Sequence, residues 1–170
     1  VSENTSYYYR ITAEDFTGNE SDFSNEVNIT TGVRPIWYVS TSGSDSNDGS
    51  SANPFKTVQK AINTSYGVMD TILVLPGTYS ENLSITDGKS IILGSKYMKD
   101  NDTSNVTSTI LDGNQTGSII AINDTSTVLK LVGMTLRNGS NSGLYISRAD
   151  SIILNNVILR DNNTSDYGYG

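Results

Sequence analysis

The chain has no cysteine and no histidine. Disulfides, thiolate nucleophiles, imidazole bases and most zinc chemistry are thereby excluded. No run approaches 18 apolar residues, so nothing reads as a membrane-spanning segment, and no signal peptide is visible at the start. Basic residues are scarce, 11 against 18 acidic ones, for a net charge of −7. That balance argues against nucleic acid as a partner, which needs a basic patch. It also sets a condition on acidic polymers: they would be repelled unless a local basic cleft or a bridging metal received them. Proline occurs only three times in 170 residues, a length that fits one or two domains. The chain begins at Val1 without a methionine and stops at Gly170 within a polar run. It is therefore read as a piece of a longer protein.

Asn, Ser and Thr are abundant instead. Asn-X-Ser/Thr sequons occur at Asn4, Asn19, Asn28, Asn63, Asn82, Asn101, Asn105, Asn114, Asn123, Asn138, Asn162 and Asn163. Such a composition yields several by chance, and polar turns are their plain reading. The signature itself means a surface asparagine in an exported chain.

Three zones follow one another. In residues 1–31, "YYYRITAED" alternates Tyr7, Tyr9, Ile11 and Ala13 on one face, and "FSNEVNIT" places Val27 and Ile29 on another. The period of two predicts strands with one buried side, joined by a turn with Gly18-Asn19 at its tip. Two antiparallel strands alone are marginal in water, so this hairpin needs more sheet. Residues 32–36 read as a linker broken by Gly32 and Pro35. From Trp37 to Gly170 the chain opens with a short strand, "IWYVS". A loop rich in Ser, Gly, Asp and Asn follows, then a helix of about two turns near Thr57–Asn63. Val58, Ala61 and Ile62 share one face of that helix, and Thr57 or Asn53 is its N-cap. "TILVLPGTY" then gives an apolar strand stopped at Pro76-Gly77.

Beyond this the sequence repeats. "VLKLVGMTLRNG" (128–139) overlies "SIILNNVILRDN" (151–162) at an offset of 23, matching Leu131 with Leu154, Leu136 with Leu159 and Arg137 with Arg160. "SIIAIN" (118–123) overlies "SGLYIS" (142–147) at 24. "SIILGS" and "TILDGN" are weaker members, with "NDTSNVTS" (101–108) read as an inserted loop. A period in the low twenties without a recurrent helix is the mark of a solenoid of short strands. Leu129, Leu131, Leu136, Ile152, Leu154 and Leu159 should stack inward, and Asn155-Asn156 should fall at a corner.

Two resemblances rest on these residues. Tyr7-X-Tyr9-Arg10-Ile11-X-Ala13 with Gly18-Asn19-X-Ser21-X-X-Ser24 resembles the last two strands of a fibronectin type III module, with Tyr7 at the tyrosine-corner position. That implies an extracellular or cell-surface location. Tyr38-Val39, Gly43-X-Asp45, Asp48-Gly49, Pro54-Phe55-X-Thr57, Ala61-Ile62 and Leu75-Pro76-Gly77-X-Tyr79 resemble the start of right-handed parallel β-helix proteins of the pectate-lyase-like superfamily. The implied fold class is all-β: a fibronectin-like hairpin, a linker, and the N-terminal cap and first rungs of a β-helix over residues 37–170. The helix near Thr57 would close the open end of the stack. The implied function is action on, or binding of, a polysaccharide, with an acidic one the sharpest case, by a monomer. A calcium-dependent lyase is the sharpest enzyme version, its catalytic rungs lying beyond Gly170. A non-catalytic surface or adhesion stalk is the rival.

Candidate site residues are few. Asp45 and Asp48 could hold calcium, although no EF-hand frame fits: counted from Asp45, glycine falls at the fifth position and Lys56 at the twelfth. Their other reading is an Asx turn and helix cap. Lys130, Arg137 and Arg160 could grip an acidic sugar or remove a proton next to its carboxylate. Their other reading is a solvated face balanced by Asp150 and Asp161. Paired carboxylates for glycoside hydrolysis would have to come from Asp112, Asp150, Asp161 and Asp166, of which Asp112 reads as a turn residue.

Overall fold

The computed structural model describes residues 5–31 and 34–163, so Gly32 of the expected linker, Asn4 and Asp166 lie outside the described residues. The chain divides into two compact units, Val1–Arg34 and Pro35–Gly170.

In the first unit, β1 (Ser6–Tyr9) pairs antiparallel with β2 (Val27–Thr30), Tyr7 opposite Ile29 and Tyr9 opposite Val27. The turn sits where Gly18 takes a φ of 86°, and the Asp15 carboxylate accepts from the Thr17 and Asn19 backbone N–H groups. The strand expected to run through Ala13 is shorter, ending at Tyr9. Its outer part keeps an isolated Glu14–Glu20 bridge. Tyr9, Ile11, Phe16 and Phe23 are exposed.

The second unit is mostly β. Its strands are β3 (Ile36–Val39), β4 (Val68–Val74), β5 (Gly77–Ser80), β6 (Leu83–Ile85), β7 (Ser90–Ser95), β8 (Thr109–Asp112), β9 (Ile120–Asn123), β10 (Val128–Arg137), β11 (Leu144–Arg148) and β12 (Ser151–Arg160). Helix α1 (Val58–Thr64) falls before β4. Helices α2 (Tyr97–Asp100) and α3 (Ser104–Ser108) fall between β7 and β8. Among the described residues every strand pairing in this unit is parallel. One sheet runs β3-β4-β7-β10-β8-β5 with β12 also on β10, and another runs β11-β9-β6. The first sheet curls strongly, an arrangement compatible with a parallel β-helix.

The cause of the curl is visible in β10. Its first half pairs with β7, Leu131 beside Leu93, and its second half with β8, Leu136 beside Leu111. Gly133, with a φ of 66°, turns the chain between the two halves, and Asn156, with a φ of 50°, turns β12 one offset later. Left-handed backbone favours glycine and is tolerated by asparagine. The expected corner at Asn155-Asn156 is thus the bend within β12. "SIILGS" and "TILDGN", read as separate repeats, are the two sides of one such bend, held apart by residues 96–108, an insertion that begins earlier than the expected 101–108 and carries α2 and α3.

The offset of 23 becomes register: Leu129 lies beside Ile152, Leu131 beside Leu154, Met134 beside Val157 and Leu136 beside Leu159. Ile72, Leu93, Leu131 and Leu154 form one row across four strands. Tyr79, Leu111, Leu136 and Leu159 form another. The first three members of each row are buried, whereas Leu154 and Leu159 on β12 are 47% and 50% exposed. Burial of a large aliphatic side chain stabilises by ~1.5–3 kcal/mol, so these rows are the core.

Helix α1 lies against the opposite end of the stack, burying Val58, Ala61 and Ile62 together with Phe55. Thr57 is the N-cap, its Oγ1 accepting from the Lys60 N–H. The helix is gripped at both ends by residues distant in sequence. The Glu81 carboxylate accepts from the Val58 and Gln59 N–H groups, at 2.9 and 3.0 Å. The Lys89 ammonium donates to the Ile62, Asn63 and Ser65 carbonyls. Negative charge at the N-terminus and positive charge at the C-terminus both oppose the helix dipole favourably. The Gln59 amide also exchanges two hydrogen bonds with the Ser84 backbone.

Candidate functional site

One Asp45 oxygen accepts from the backbone N–H groups of Lys56 and Thr57, both at 2.9 Å, and the other accepts from the Thr57 hydroxyl at 2.8 Å. Desolvation pushes this carboxyl up, but the bonds from Thr57 and Lys56 and the charge of Lys60 outweigh it and hold its pKa below the ordinary value. Asp48 accepts from the Ser50 N–H, and that bond lowers its pKa. Asp45 therefore ties the loop to the start of α1. Glu81, approached from the other side, is pushed up by burial and by the charge of Asp45 against the pull of its two N–H donors. Both aspartates are engaged by backbone donors, a poor fit to a hard cation wanting six to eight oxygens. Among the described residues no three Asp, Glu, His or Cys gather as metal ligands.

The basic candidates separate. Arg137 and Arg160 are register neighbours on β10 and β12. Arg137 is half-buried, its Nε 2.8 Å from Asp112. Asp112 also accepts from the Asn114 N–H and the Asn138 amide. Burial raises the Asp112 carboxyl, but these donors and Arg137 bring its pKa below normal. Asp112 is thus both a turn residue and the anchor of an ion pair. Arg160 pairs with the adjacent Asp161 at 3.1 Å on the surface. The Lys130 side chain has no hydrogen-bond or ion-pair partner among the described residues.

Lys130 belongs to the outer row Thr71–Ile92–Lys130–Ile153, one residue out of phase with the core rows. Helix α2 crosses this outer face. It can approach because Gly94 lacks a side chain: a Cβ there would stand 2.7 Å from Met98 Sδ. A Cβ on Gly133 would stand 2.5 Å from Tyr97 Cβ. Tyr97 is fixed from the far side, its hydroxyl accepting from the Asn156 amide at 2.7 Å. Leu73 and Val132, facing outward from their strands, are buried beneath the helix. Thr135 donates to the Val106 carbonyl at 2.9 Å and holds α3 against β10.

Between α2 and the sheet lies a groove of about 370 Å³. Thr71, Ile92 and Lys130 floor it, Tyr97, Met98, Lys99 and Asn101 wall it, and Asn155 closes one side. The Lys99 ammonium sits 5.3 Å from the centre of the Tyr38 ring. It also donates to the Tyr38 hydroxyl at 3.3 Å. Two lysines, a tyrosine and two asparagines therefore line one open groove, and no carboxylate lines it. Such a lining can attract an anion, donate several hydrogen bonds and offer a ring edge to an apolar face. Tyr97, Lys99 and Asn101 were not legible as site residues. They sit in a polar insertion, and nothing local shows that it folds back over a strand more than 25 residues further on.

The family model described as "Protein of unknown function (DUF1565)" matches residues 41–166, about three quarters of the chain. The chain belongs to this family. Comparison with curated proteins and with solved structures found no match.

Proposed function

We propose that the second unit is the capped beginning of a right-handed parallel β-helix of the pectate-lyase-like kind, following a fibronectin type III-like hairpin, and that it binds an acidic polysaccharide outside the cell or at its surface. The fold part is supported by the 23-residue register, the left-handed bends at Gly133 and Asn156, and α1 laid over one end of the rows. The observation that carries the function is the groove: in a chain of net charge −7, Lys99 and Lys130 line it without a carboxylate. This is the local basic cleft that an acidic polymer requires.

Binding is the reading the described residues favour over bond cleavage. Arg137 and Arg160 are each paired with a carboxylate. A second reading, a stiff surface stalk, is favoured by the aliphatic rows running in register through successive strands.

The test is calorimetric titration with polygalacturonate, alginate and a neutral glucan at low and high salt. The acidic polymers should bind, binding should weaken with salt, and Lys99→Ala/Lys130→Ala should weaken it at least tenfold. Equal affinity for the neutral glucan, or no effect of the double variant, would reject the groove. Ultraviolet absorbance from an unsaturated product would move the reading to a lyase. No binding to any acidic polymer would leave the stalk.

A further inference from the structure

The sequons remain to be explained. Twelve of the 18 asparagines have Ser or Thr two positions on, yet Ser and Thr together make up 43 of 170 residues, one quarter. Random placement would give about four or five sequons from 18 asparagines. Turn chemistry favours asparagine, but it does not favour a hydroxyl two residues later at this frequency.

The fold sorts these asparagines. Asn82, Asn105, Asn138 and Asn162 hold the structure together through their amides: Asn82 on the Ser118 carbonyl, Asn105 on Asp100, Asn138 on Asp112 and Asn162 on the Leu136 carbonyl. Asn105 is also buried. At Asn101 and Asn123 the situation is opposite. Both are exposed, and their side chains have no hydrogen-bond partner among the described residues. The same holds for the hydroxyl-bearing partners Thr103 and Thr125. Asn101 has left-handed backbone at the end of α2, and Asn123 ends β9, so neither is enclosed by a ladder on both sides.

We propose that the chain is N-glycosylated, with Asn101 and Asn123 as acceptors. The donor is a lipid-linked oligosaccharide phosphate. The Nδ2 atom attacks the first sugar carbon, and the bond from that carbon to the phosphate oxygen breaks. The lipid phosphate leaves with the bonding pair, and one amide proton is released as the N–C bond forms. The enzyme for such transfer works on exported chains, so the inference rests on the extracellular half of the function proposed above and not on the groove. Asn101 also lines the groove, so an oligosaccharide there would stand at its rim.

The test uses protein purified from cells that naturally produce it. Trypsin leaves Asp100–Lys130 as one peptide carrying four sequons, so electron-transfer fragmentation is needed to assign the mass. Hexose-containing increments are expected on Asn101 and Asn123 and not on Asn105. Thr125→Ala should remove the increment at Asn123, and Thr125→Ser should retain it. Unmodified Asn101 and Asn123, increments on hydroxyls instead, or an increment at Asn123 that survives Thr125→Ala would overturn the proposal. Unmodified peptides from protein that still binds polygalacturonate would reject glycosylation and leave the groove standing.

Discussion

Two corners of the same sheet do the same geometric job with different amounts of chain. Within β10 a single residue, Gly133, turns the strand from its β7 side to its β8 side. Between β7 and β8 themselves the chain uses thirteen residues, Lys96–Ser108. The longer corner carries α2 and α3, covers Leu73 and Val132, and creates the groove around Lys130. The short corner leaves room for it, since α2 needs the missing Cβ of Gly133. The plain corner maintains the stack, and the elaborated one carries the candidate chemistry. That division is expected where a rigid scaffold presents its function on loops.

Substitutions within the stack carry the largest expected effects. Leu131→Ala removes a fully buried member of a row and should cost ~2–5 kcal/mol, read by urea unfolding. Leu154→Ala, one position along the same row but half exposed, should cost under ~1 kcal/mol. Equal costs would mean that the register does not build the core. Next in size, Gly133→Ala places a Cβ against Tyr97 on left-handed backbone and should cost ~1–3 kcal/mol. Asn156→Gly, at the equivalent bend of β12, should change stability by less than ~1 kcal/mol.

The cap is a smaller term. Asp45→Ala removes the acceptor for two N–H groups and a hydroxyl and should cost ~1 kcal/mol at neutral pH. Because the Asp45 pKa is lowered by folding, its contribution is present above the ordinary aspartate pKa and fades as pH falls through the folded value. The gap in melting temperature between wild type and Asp45→Ala should therefore close on acidification below about pH 4. Glu81 has the opposite sign: its raised pKa favours the fold at low pH, and that contribution is lost as pH rises through the folded value. A gap unchanged down to strong acid would remove Asp45 from the cap. Smallest of all for stability, Lys130→Ala should shift unfolding by no more than ~0.5 kcal/mol, since nothing described is bonded to its side chain.

How much of this could be read in advance follows from distance along the chain. The 23- and 24-residue offsets were visible because stacked strands need the same apolar spacing, and they reappear as Leu131 beside Leu154 and Ile120 beside Leu144. The helix near Thr57 and its cap were visible because capping is local. The corner role of Asn156 followed from what asparagine backbone tolerates. The insertion was visible only as polar chain. Helices of four and five residues have no apolar period to detect. The grip of Glu81 and Lys89 on α1 joins residues more than twenty positions apart and has no local signature. The groove is of the same kind: Lys130 was a candidate, but its separation from the paired Arg137 and Arg160 depended on Asp112, Asp161 and the returning α2.

The corner comparison also supplies its own decisive experiment. Replacing Lys96–Ser108 by a single glycine copies the β10 corner into the β7–β8 position, and polygalacturonate binding is then measured by titration beside wild type. The expected result is a retained β-type circular dichroism spectrum and cooperative melting, with binding lost. Binding at wild-type strength by the shortened, folded chain would contradict the assignment of function to the groove.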